Sequence, residues 1–314
     1  MINELGMPYM GGKRKLAKPI LDYICFQNPK AKFFYDLFGG GGAISFNAVQ
    51  RKQFERVNYN ELNTGVVELL KKLRLDGVTK DMYKWVDRET FNAHKKDNDW
   101  YGGLLKTCWS FGNNQSGYLF GKDIEEPKRL MHEVVVNCCE KSAEKLPFKI
   151  DNLIFNLPTI NERRLALRGM VSERIDLQQL QQLQQLEQLE RLQQLEQLEQ
   201  LERLERLQQL QRLNITNLSY EAVQIETPIN ETIIYCDPPY KGTHKYAKDI
   251  NHDIFYNWVK NHPCKVYVSS YDFNLPIVLE LAHRSILSAT ANNKVVERLF
   301  CNRLEKFETN LTLF

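Results

Sequence analysis

The chain has 314 residues, 43% of them hydrophobic, and a formal net charge of +3, enough for one catalytic domain with an inserted module around a substantial core. Its seven cysteines (25, 108, 138, 139, 236, 264 and 301) form no Cys-x-x-Cys pair and no zinc spacing. An odd count without a signal peptide argues against a disulfide framework or structural metal and for reduced thiols in a cytoplasm, and no segment approaches the roughly 18 to 20 apolar residues of a membrane span.

Near the N-terminus, Pro8-Tyr9-Met10-Gly11-Gly12-Lys13-Arg14-Lys15 precedes Leu16, Ile20, Leu21 and Ile24 at helical spacing. Two glycines before a basic cluster and a helix offer backbone amides and positive charge to an anion; in isolation a solvated basic turn fits as well. The next stretch, Phe33-Phe34-Tyr35-Asp36-Leu37-Phe38-Gly39-Gly40-Gly41-Gly42-Ala43, reads as a strand, a glycine turn and a helix beginning near Ala43. Four glycines remove every β-carbon where backbone and ligand must approach closely. A second strand around Val57–Tyr59 ends at Asn60-Glu61-Leu62-Asn63, where an acidic side chain either accepts from ribose hydroxyls or is a plain surface carboxylate.

Residues 100–132 interleave aromatics (Trp100, Tyr101, Trp109, Phe111, Tyr118, Phe120) with Asn113, Asn114, Gln115 and the basic Lys122, Lys128, Arg129 and His132. Amides that can pair with adenine, set among aromatics and basic groups, point to a nucleic-acid contact loop. Trp109 and Phe111 are expected in the core, and Asn114, Gln115 and Lys122 on the nucleic acid. The segment 177–213 is of another kind. Leucine recurs at every third position, thirteen times, separated only by Gln, Glu and Arg. The segment carries six Glu and four Arg, so the rest of the chain has 38 basic and 33 acidic residues, compatible with a phosphate-binding surface. All these residues are strong helix formers. A step of three advances about 300° on an α-helix, so the leucine row circles it; a 3₁₀-helix would keep the row on one face, against the rarity of long 3₁₀ runs. Both geometries stay open, with a leucine-repeat solenoid, whose further signature residues are absent here, as a lesser alternative. A continuous leucine stripe needs a partner, which makes 177–213 a candidate for self-association in a homo-oligomer, against the plainer reading of a spacer.

Downstream of Ile215-Thr216-Asn217-Leu218-Ser219-Tyr220, the run Thr232-Ile233-Ile234-Tyr235-Cys236 reads as a buried strand that stops at Asp237-Pro238-Pro239-Tyr240, because proline continues neither helix nor central strand. Asp237 and Tyr240 then stand at the carboxyl end of the strand, where open α/β sheets bind ligands. Asp237 and the Pro238 carbonyl can accept both hydrogens of an exocyclic amine, and Tyr240 offers a face to an unstacked base. Residues 241–258 read as a mobile loop beside that base, with His244 and His252 at the surface. Lys265–Tyr271 reads as another buried strand ending in a Ser-Ser-Tyr turn, and Val296–Phe300 as part of a closing hairpin.

Asp237-Pro238-Pro239-Tyr240 has the form of the (D/N)PP(Y/F) motif of Dam-like adenine-N6 DNA methyltransferases, which the chain resembles. Tyr9-Met10-Gly11-Gly12-Lys13 is similar to that family's W-A-G-G-K, with Tyr in the Trp position. Phe38, Gly40 and Gly42 satisfy F-x-G-x-G, and Glu61 stands where Asp is usual in N-D-x-N. In the family's N-x-x-G-x-F-x-x-P-x-G, Asn114, Gly117 and Gly121 fit, Tyr118 replaces Phe and the Pro is missing. The motif order is that of the alpha group of amino methyltransferases, and the likeness covers roughly 1–165 and 214–314. It implies an α/β methyltransferase fold with a mixed, mostly parallel sheet flanked by helices. It places S-adenosylmethionine against Tyr9, Gly12, Lys13, Asp36, Phe38, Gly40, Gly42, Glu61 and Asp237, and makes double-stranded DNA the partner. The expected organisation is a catalytic domain in 1–80 and 214–314, a target-recognition region in 81–170 and the repeat in 171–213. The rivals are an inactive assembly protein on this scaffold, and the same chemistry on cytosine N4 or on RNA.

Overall fold

In a computed structural model of the chain the described residues are 5–9, 11–178, 196–205, 212–240, 250–284 and 294–303. The chain forms two compact units, one of residues 1–6, 12–63 and 209–314 and the other of residues 7–11 and 64–208. The helix that follows the second strand therefore groups with the second unit.

The first unit holds α1 (Arg14–Gln27), β1 (Phe33–Asp36), α2 (Ala43–Val49), β2 (Arg56–Asn60), β3 (Leu213–Thr216), β4 (Thr232–Cys236), α10 (His252–Asn261), β5 (Lys265–Ser270), β6 (Ile277–Arg284) and β7 (Lys294–Cys301). The seven strands make one sheet in the order β3-β2-β1-β4-β5-β7-β6. From β3 to β5 all neighbours are parallel, with Phe34 opposite Val57 on one side and Ile233 on the other; β7 runs antiparallel to both β5 and β6. Parallel strands covered on both faces must be apolar throughout, and every residue of β4 is buried. The strand order reverses between β1 and β4, so the crevice at their carboxyl ends, after Asp36 and Cys236, is the expected ligand position. This is the mixed, mostly parallel sheet read from the sequence. One element differs: part of the stretch read as a mobile loop is α10. Asn251 caps it by accepting from the Asp253 and Ile254 amides, and Phe255 and Val259, one turn apart, are buried. Residues 241–249 of that reading, His244 included, lie outside the described residues.

The second unit is helical: α3 (Thr64–Asp76), a 3₁₀ turn (Lys80–Tyr83), α4 (Arg88–His94), α5 (Trp100–Cys108), α6 (Glu125–Asn137), α7 (Glu140–Glu144), α8 (Ile160–Gln178) and α9 (Glu196–Glu205). Asp87 and Asp99 start α4 and α5 by accepting from the Thr90 and Gly102 amides. α3 and α5 touch through glycine: a β-carbon on Gly103 would collide with the Gly65 carbonyl.

The leucine repeat enters this unit as α9. Over its ten residues the helix is α, and Leu198, Leu201 and Leu204 are all buried. Three successive leucines drift through only about 120°, close to the apolar width of an ordinary amphipathic helix. The unit supplies the covering surface from α5, α8 and the turn at 80–83. Arg164 pairs with Glu199 at 3.1 Å, and the Gln200 amide, with its nitrogen facing them, donates to the Thr107 and Cys108 carbonyls. The last leucine of the row, Leu213, opens β3 opposite Val57. Residues 179–195 and 206–211 of the repeat lie outside the described residues, and with them most of the choice between α and 3₁₀.

Candidate active site

The site of the first unit gathers at the carboxyl ends of β1, β2 and β4. Asp237 follows β4 directly, and Lys13, at the N-terminus of α1, reaches it from 224 residues away. The Lys13 Nζ lies 2.9 Å from both Oδ1 and Oδ2 of Asp237 and donates to the Tyr240 hydroxyl at 2.6 Å. It also sits 4.9 Å from the centre of the Tyr240 ring. The hydroxyl in turn donates to Glu297 Oε1 at 2.7 Å, with Asp237 Oδ1 at 3.3 Å, and Glu297 Oε1 is 3.7 Å from the Lys13 ammonium. The Tyr271 ring, directly after β5, packs edge-on against Tyr240 at 4.6 Å between centroids. Pro238 and Pro239 set the turn that carries Tyr240.

Electrostatics follow from burial. Desolvation pushes the Asp237 carboxyl up to about 6, against the downward pull of the Lys13 charge and with a further upward push from Glu297. Desolvation, then the Asp237 and Glu297 charges, push the Tyr240 phenol far above its ordinary range. Around neutral pH Asp237 is therefore mostly an anion and Tyr240 a neutral donor.

The glycine turn forms the second wall. Gly42 holds φ at 73° and lies against the Phe46 ring, which a β-carbon there would strike. Glu61, at the end of β2, accepts from the Gly40 amide at 2.7 Å and from the Asn63 amide at 2.8 Å; burial raises its carboxyl. Glu61 thus pins the turn. Phe38 stacks on Tyr220 at 5.4 Å. Asp36 is almost fully buried; Ser45 donates to its Oδ2 at 2.7 Å, while Oδ1 has no hydrogen-bond partner among the described residues. Desolvation raises the Asp36 carboxyl to about 7, opposed by the Ser45 hydrogen bond and assisted by Asp237 and Glu61. A buried acceptor without a donor, beside a turn stripped of β-carbons, fits a ligand that brings an ammonium group and a ribose. Gly12 is exposed, and Tyr9 is half-buried within residues 7–11, which belong to the second unit.

In the second unit, the stretch read as a nucleic-acid loop is a tight hairpin. Ser110 bridges Tyr118, the Phe111 amide donates to the Gly117 carbonyl and the Leu119 amide to the Trp109 carbonyl, both at 2.9 Å. Asn114 Oδ1 accepts from the amides of Ser116 and Gly117 at 2.9 Å and so shapes the tip. Gln115 adopts φ 61° beside it, and Lys122 is exposed. Trp109 is core, as expected. Phe111 is not: it is 65% exposed, because Gly112 at φ 57° turns the chain and carries the ring outward. Lys128 and His132, read as part of the basic surface, are buried; desolvation lowers His132 to about 4 and keeps it neutral.

Sequence reasoning missed Glu297. Its signal was a lone acid at an inward position of β7, in step with the buried Leu299 and Cys301; the antiparallel course of β7 returns that position toward the carboxyl end of β5.

Strand order, glycine turn and Asp-Pro-Pro-Tyr together define an α/β methyltransferase of the kind that modifies amino groups. The model of the D12 class N6 adenine-specific DNA methyltransferase family matches residues 9–143 and 154–265, and the chain belongs to that family. Its members methylate N6 of adenine in DNA with S-adenosylmethionine as methyl donor. No curated protein matches the chain. Among the described residues no group of three or more His, Cys, Asp or Glu could hold a metal ion, and no helix is long and apolar enough to cross a membrane.

Proposed function

We propose that Asp237, Pro238, Pro239 and Tyr240 form the methyl-transfer site for an adenine rotated out of duplex DNA. The observation that carries this reading is the convergence of Lys13 and Tyr240 on the Asp237 carboxylate, with both oxygens 2.9 Å from the ammonium. Asp237 and the Pro238 carbonyl accept the two hydrogens of the adenine amine, which draws the nitrogen lone pair out of conjugation, and Tyr240 lies against the base. S-adenosylmethionine, when bound, supplies an electrophilic methyl group. Asp36 Oδ1, the glycine turn at Gly40 and Gly42, where no β-carbon stands in the way, Glu61, Phe38, Gly12 and Lys13 are the residues that would hold it. The chain's own work is positioning and electrostatic stabilisation; no imidazole base is needed, since the methylated ammonium is acidic enough to shed its proton.

For DNA, the reading assigns Asn114, Gln115, Lys122 and the exposed ring of Phe111 to the contact hairpin: the Gln115 amide and the Asn114 Nδ2, whose Oδ1 the tip already holds, face base edges, and the ring stacks. DNA as substrate also supports a cytoplasmic setting. The intact Lys13–Asp237–Tyr240 cluster favours an active enzyme over an inert scaffold. Asp237→Ala tests the reading: methyl transfer to duplex DNA is expected to fall by about 100- to 1000-fold or more while the circular dichroism spectrum is retained, and turnover at the wild-type rate would overturn it.

A further inference from the structure

We propose that Glu297 is a positioning residue of this site, a second anchor for Lys13 and Tyr240 that frees Asp237 to receive the substrate amine. The inference rests on the reading of Asp237 given above. Lys13 spans both Asp237 oxygens at 2.9 Å. An arriving amine needs one of those oxygens, and a buried ammonium that loses a partner must find another. Glu297, 3% exposed, is already in place: its Oε1 holds the Tyr240 hydroxyl at 2.7 Å and stands 3.7 Å from the ammonium. A shift of about 1 Å brings Lys13 to ordinary ion-pair distance from Glu297 and keeps it on the Tyr240 hydroxyl. Lys13 is thus shared between two carboxylates, one committed to substrate and one to the scaffold of β7.

Glu297→Gln keeps the shape and an acceptor for Tyr240 but removes the charge that competes for Lys13. With that competing charge gone, Lys13 stays locked on Asp237, and kcat is expected to fall about tenfold to a hundredfold, the cost of a small misplacement in a reacting site. A purely structural role would not move the pH profile; this role does. Asp237 faces Lys13, Tyr240 and Glu297 and, more distantly, Asp36, Tyr235 and Tyr271. Its carboxyl lies at about 6, held up partly by Glu297, so removing that charge shifts the acid limb of kcat to lower pH. Glu297→Asp retains the charge with a shorter reach; it is expected to keep the wild-type acid limb and lose kcat. Wild-type kcat and an unmoved acid limb in Glu297→Gln overturn the proposal, as does wild-type kcat in Glu297→Asp should Glu297→Gln not fold. If Asp237→Ala is inactive in the same assay, only the Glu297 role has failed; if it is active, the reading of the site has failed first.

Discussion

Asp36→Asn separates what the fold wants from what the site needs. The wild-type carboxyl is buried, with one oxygen on Ser45 and the other without a described partner, and desolvation raises it from 3.8 to about 7. The folded state therefore holds a proton that the unfolded chain has already lost over the window from about pH 4 to pH 7. The stability this group contributes is full below the unfolded value and is lost as pH rises through the folded one. Roughly three units at about 1.4 kcal/mol each give an upper figure of about 4 kcal/mol. Asn is nearly the shape of the neutral acid and has no proton to lose. Urea unfolding from pH 5 to pH 8 should show Asp36→Asn gaining on the wild type by about 2 to 3 kcal/mol as pH rises, while its calorimetric affinity for S-adenosylmethionine drops. A stability difference that stays constant across that range would refute the account of Asp36 as an acid held in waiting for a cationic ligand.

Phe111→Ala should leave stability unchanged, since the ring is mostly exposed, and weaken duplex DNA binding by about tenfold, one stacked base being worth ~1–3 kcal/mol; unchanged affinity in a fluorescence titration would remove the ring from the interface. Gly103→Ala should lower the unfolding midpoint by about 1–3 kcal/mol equivalent or more, because its β-carbon meets the Gly65 carbonyl rather than a yielding side chain; a neutral result would mean that α3 and α5 do not approach this closely.

The sheet was legible where buried strands announce themselves. Phe33–Asp36, Thr232–Cys236 and Lys265–Ser270 are short apolar runs that each end on a motif, and their parallel pairing follows from the glycine turn and the helices between them. Asp237 and Tyr240 were legible because two prolines leave them only one place to stand. The partnership of Asp237 with Lys13 was less so, since no local pattern links residues 224 apart. Glu297 was hidden for a related reason: its role depends on β7 running antiparallel to β5, which strand propensity cannot express. Phe111 was misjudged because hydrophobicity alone assigned it to the core, when the αL glycine after it decides which way it faces. The repeat was read as having no stable apolar face, and that holds for a long α-helix; α9 is short enough that three leucines stay within one groove.

The most direct test of the whole account is methyl transfer from labelled S-adenosylmethionine to unmethylated duplex DNA, followed by nucleoside analysis. The account predicts label in N6-methyladenine and none in N4-methylcytosine. Folded protein that transfers no label, or that places it on cytosine, would contradict it.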